Sequence, residues 1–96
     1  MERKEALEML VSMLKEIQKE RGEEGEEIHE KTRPIGGLRG FDSLTSVILT
    51  AQCFEKFKIK DNVNVESLCI GKNEKGYPCT LTVGEITDRI LILIKG

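Results

Sequence analysis

A single serine stands where this chain could carry chemistry. Ser43 lies in "LRGFDSLTSVILTAQCFEKF" (38–57), between Asp42 and Leu44, where a glycine-containing loop gives way to an apolar-periodic run. A hydroxyl in the first turn of a helix commonly helps to satisfy free amides. To act as a nucleophile it would need a base, and an orienting group behind that base. The one histidine, His29, lies across a long loop, and no G-x-S-x-G elbow is present. Ser43 is therefore expected to be chemically passive: a capping residue, or a hydroxyl that other enzymes modify. Three cysteines, Cys53, Cys69 and Cys79, are an odd count without a CxxC pair, so reduced thiols are expected. A closed zinc site needs four converging ligands, and one histidine with scattered cysteines makes a poor set, so no metal is expected.

The elements that would position Ser43 follow from periodicity. Leu7, Leu10, Val11, Leu14 and Ile17 recur at helical spacing and predict a first helix over about 2–20. Residues 21–41 hold five glycines and a proline and read as a long loop, its glutamate cluster as solvated charge. The second helix is expected over about 43–57, with Asp42 as its N-cap and its charge facing the positive helix end. Its core face is expected at Val47, Thr50, Cys53 and Phe57, with Leu44, Ile48 and Ala51 on the opposite stripe. Residues 62–81 read as a short helical turn at "VESL" and an extended loop, packed onto the bundle by Tyr77 and Pro78. Thr82 and Glu85 form a T-x-x-E capping box that opens a final helix over about 83–94, buried through Ile86, Ile90, Leu91 and Ile94. With no convincing hairpin, the fold class expected is all-α: a single domain of three main helices plus one short helix.

A chain of 96 residues, 39% apolar and 33% charged, suits one small domain with a thin core. A net charge of −2 argues against binding nucleic acid by charge. No apolar run is long enough to span a membrane and no secretory leader opens the chain, so a cytoplasmic monomer is expected.

The order of these features resembles the acyl carrier protein family. The family places Asp-Ser-Leu at the start of its second helix, a valine three residues on, a phenylalanine at the helix end, and Thr-Val-Gly-Asp/Glu at the start of the last helix. Asp42, Ser43, Leu44, Val47, Phe57, Thr82, Val83, Gly84 and Glu85 match in order, within a resemblance covering about 28–94. It implies that a phosphopantetheinyl transferase attaches 4′-phosphopantetheine to Ser43, flanked by Asp42 and Leu44. The terminal thiol of that arm would carry acyl groups as thioesters for acyl-loading and acyl-processing enzymes of a fatty-acid, lipid or polyketide-type pathway. The protein itself would catalyse nothing. The alternatives are an aminoacyl or D-alanyl carrier and an unmodified helical interaction module.

The chain departs from the family on the second helix, which is usually acidic and meets partners there. Thr45, Ile48, Phe54 and Lys56 stand at those positions, and only Glu55 keeps an acid. The partner-facing residues implied are Leu44, Ile48 and Glu55, an apolar strip unless segment 66–80 folds over it. That segment is longer than the family's usual connection, and the loop before Ser43 carries one residue more than the commonest form.

Overall fold

The computed structural model describes residues 1–23, 25–59 and 67–95. The described residues form four helices and one two-stranded sheet. Helix α1 spans Arg3–Glu20 and buries Ala6, Leu10, Leu14, Ile17 and Gln18. Leu7 and Val11 pack at the edge of that stripe. Helix α3 spans Ser43–Lys56 and α4 spans Val83–Lys95, each within a residue of the span expected from periodicity and capping. The helices α1 and α4 pack together, and α3 lies against α1.

The described residues of the 21–41 segment form a loop, as expected, but one that is packed into the core and interrupted by a short turn. Ile28, Leu38 and Phe41 are buried in the core, and one distorted helical turn, α2 (Pro34–Gly37), begins at a proline. A proline at the first helical position lacks an N–H that would go unpaired there anyway. Glu26 is tied in as well: it accepts from Gln18 Nε2 at 2.7 Å and from the Arg39 amide at 3.0 Å. Those two bonds, the first the larger, hold its carboxyl below the usual range. One member of the glutamate cluster is thus a structural strut.

The segment after α3 corrects the all-α expectation. Strands β1 (Ile70–Lys72) and β2 (Pro78–Thr80) form an antiparallel hairpin, with Ile70 opposite Thr80 and Lys72 opposite Pro78. Its turn is organised by Asn73, whose Oδ1 accepts from the Lys75 and Tyr77 amides, both at 3.0 Å. Gly76 supplies φ +82°, a left-handed value that side chains disfavour. Strands of three residues are too short to show alternation, which is why the sequence reads as loop. Tyr77 and Pro78 do not pack the segment down. Tyr77 is 64% exposed and Pro78 also faces out; Leu68 and Cys69, both fully buried, anchor the segment instead. The first half of the helical turn expected at "VESL" lies outside the described residues, and its last two residues, Ser67 and Leu68, lead into a turn before β1.

The capping box at α4 forms as expected. The Thr82 amide donates to Glu85 Oε1 at 2.9 Å, and the Glu85 amide to Thr82 Oγ1 at 3.2 Å. Two further amides of that first turn are taken by the 28–33 loop: Val83 N–H donates to the Thr32 carbonyl (2.7 Å) and Gly84 N–H to that of Glu30 (2.8 Å). Arg3 then joins α1 to both partners, bonding Glu30 at 2.6 Å and Asp88 at 2.7 Å. No described helix is long and apolar enough to cross a membrane.

Candidate functional site

Ser43 is the first residue of α3 and is exposed. It is not the cap. Asp42 takes that role from extended backbone: its Oδ1 accepts from the Thr45 amide at 2.9 Å and from the Thr45 hydroxyl at 3.0 Å. The Asp42 carbonyl accepts the first helical bond, from the Ser46 amide at 3.0 Å. These bonds hold the Asp42 carboxyl below its ordinary range, the Thr45 amide contributing most, with a smaller share from the Arg21 charge. The hydroxyl of Ser43 is therefore released from the task that a serine in this position most often performs.

The loop that delivers Ser43 is held from α1. Gln18, only 2% exposed, donates to the Arg39 carbonyl at 2.8 Å as well as to Glu26. Arg21, the C-cap of α1, donates to the Thr45 hydroxyl. It passes so close to Gly40 that a Cβ there would sit 3.1 Å from Nη2, and Gly40 has φ +68°. Glycine is favoured there by conformation, and a side chain would also press on the flexible end of Arg21. The pattern signals Gln18, a polar residue on the buried stripe of α1. Arg21 carries no such signal, because its partners are distant in sequence.

Leu44 and Ile48 keep the exposure expected of a contact strip, 71% and 51%, and Glu55 is exposed below them. The described part of the 66–80 segment leaves them uncovered. Val47 corrects the expected core face, being 47% exposed. The buried set on α3 is Thr45, Ser46, Leu49, Thr50 and Cys53, a face turned toward Leu49 because α1 packs on the Thr45 side and the hairpin entry on the Ser46 side.

That hairpin entry is polar. Ser46 and Ser67 share a hydrogen bond between their hydroxyls. Thr50 Oγ1 donates to the Ser46 carbonyl (2.8 Å) and accepts from the Leu68 amide (2.9 Å). From α4, Arg89 Nη1 donates to the carbonyls of Ile70 at 2.7 Å and Ser67 at 3.2 Å. Ser46 and Thr50 are 0% and 5% exposed, and a buried hydroxyl deprived of its partner costs about 1–3 kcal/mol.

The remaining reactive groups do not gather at Ser43. His29 is exposed and lines a cleft with Leu7 and Val11, while Ser43 lies at the Arg21 end of α1. The cleft that His29 lines runs along α1 from Leu7 to Lys15 and includes neither Arg21 nor Ser43. Cys53, Cys69 and Cys79 are free thiols. Burial pushes Cys53 up to about 12 and raises Cys69 too, so both stay protonated and poorly nucleophilic at neutral pH. Among the described residues no group of three or more His, Cys, Asp or Glu side chains converges to hold a metal. Comparison of the chain with protein-family models, with curated proteins and with solved structures gives no match.

Proposed function

We propose that this chain is a carrier of the acyl carrier protein type, with 4′-phosphopantetheine attached to Ser43. The observation that carries the reading is the division of labour at the head of α3: Asp42 caps the helix, and Ser43 beside it stays exposed. A transferase must reach the hydroxyl, and a phosphodiester must then be tolerated. The second condition is met because a helix N-terminus favours negative charge. In the reaction the Ser43 oxygen attacks the pyrophosphate phosphorus of coenzyme A that bears the pantetheine. A new P–O bond forms, adenosine 3′,5′-bisphosphate departs, and the hydroxyl proton passes to solvent. The arm's thiol then exchanges acyl groups as thioesters. In this reading the chain itself is a tether, presenting one substrate at high effective concentration to separate enzymes.

Within that reading the fold is an acyl-carrier-like bundle in which a β-hairpin follows the second long helix. The test is intact mass after incubation with coenzyme A and a broad-range phosphopantetheinyl transferase. Wild type gains about 340 Da and Ser43→Ala gains nothing. No gain on wild type with several transferases leaves an unmodified interaction module as the reading.

A further inference from the structure

Ser43, Ser46, Val47 and Thr50 are spaced i, i+3, i+4 and i+7, so they stack on one side of α3. Directly below Ser43 on that side lies the joint between α3 and residues 67–69. It is closed by the Ser46–Ser67 hydroxyl pair and by the Leu68 amide bonded to Thr50. Arg89 braces the joint from α4 by holding the Ser67 and Ile70 carbonyls. On the other side of the helix, Arg21 and Asp42 both bond Thr45. Behind these latches Leu49, Cys53, Leu68 and Cys69 are fully buried.

A long alkyl chain on an arm gains free energy from leaving water in proportion to its length. Among the described residues, a chain entering directly below Ser43 would part Ser46 from Ser67 and Thr50 from Leu68, turning hydroxyls and an amide toward hydrocarbon. We propose that the cargo carried at Ser43 is a short acyl group that stays outside the bundle, in water. This rests on the carrier reading of Ser43 and narrows it to a substrate class: acyl units too small to need shelter.

The experiment charges Ser43 with acetyl-, butyryl-, octanoyl- and dodecanoyl-phosphopantetheine, using the matching coenzyme A thioesters and a broad-range transferase. Intact mass, thermal midpoint and amide hydrogen exchange are then read for each product. The expected result is full charging with midpoints agreeing within about 2 °C across the series, a shift too small for substantial burial in a domain this size. Exchange at Ser46, Thr50, Leu68 and Cys69 should also be the same for every chain length. A midpoint that climbs beyond that with chain length, with slowed exchange at those residues, overturns the inference and leaves the carrier reading intact. Absence of any mass gain on Ser43 overturns both. Ser46→Ala combined with Ser67→Ala gives a second reading, because it replaces the hydroxyl pair by apolar groups. The dodecanoyl form of that variant should gain midpoint over its acetyl form; if it gains none, the polar latch is not what excludes the chain. Should the variant fail to fold, the wild-type series decides alone.

Discussion

Asp42 and Ser43 are neighbours with opposite fates, one fully engaged and the other free. The engagement of Asp42 has a pH consequence. Its carboxyl is depressed by the Thr45 amide and hydroxyl, that of Glu26 by Gln18 and the Arg39 amide, and that of Glu85 by the Thr82 amide and hydroxyl. A carboxylate depressed in the folded state contributes stability that is present above its unfolded pKa of about 4 and lost as pH falls through the folded value. Urea midpoints should therefore decline on acidification from about pH 5 downward, all three groups acting in the same direction. Asp42→Asn keeps a capping oxygen but cannot titrate, so its decline between neutral and acidic pH should be shallower than that of wild type. Parallel curves for the two proteins would show that the Asp42 charge adds nothing to the cap.

Element by element, the three long helices are legible because each carries its own local instruction. Periodicity marks α1, an aspartate marks the start of α3, and a reciprocal Thr82–Glu85 pair marks that of α4. What the pattern cannot show is how a loop is used by a helix far from it in sequence. Gly84 illustrates this. In sequence it is only one residue of a Thr-Val-Gly-Glu run; in the structure a Cβ there would fall 2.6 Å from Glu30 Cγ and 3.2 Å from Arg3 Nη2. Glycine is needed so that α4 can press against the 28–33 loop, which takes its amide through the Glu30 carbonyl. Gly84→Ala should therefore destabilise by about 1–3 kcal/mol, although alanine is the better helix former. Thermal or urea unfolding of the variant checks this, and a gain in stability would mean that the close approach is not maintained. The hairpin and Val47 escape sequence reading for a related reason. The strands are too short to show a period, and the orientation of α3 is set by α1 and the 67–69 segment, not by its own apolar stripe.

For the whole molecule, the open matter is how a partner meets the end that bears Ser43. Carriers with an acidic second helix are drawn to basic patches by long-range attraction that fades as salt rises. Here Glu55 is the one acid on α3, and Lys56 beside it offsets the charge. Near Ser43 the exposed side chains of that helix are apolar: Leu44 at 71%, Val47 at 47% and Ile48 at 51%. Leu44 and Ile48 lie one turn apart on the outward face, while Arg21 adds a cation at the head of the helix through Thr45. If Ser43 carries an acyl arm as proposed, binding to an enzyme that loads or consumes its cargo should then depend more on burying this strip than on steering. Removing the methyl groups of Ile48 from such a contact and placing a carboxylate there should weaken binding by about 1–2 kcal/mol. The check is a titration of wild type and Ile48→Glu against the same acyl-loading enzyme at low and high salt. Wild-type affinity should change little with salt, and Ile48→Glu should bind more weakly at both. Equal affinities, or wild-type binding that collapses as salt rises, would place the contact on another face.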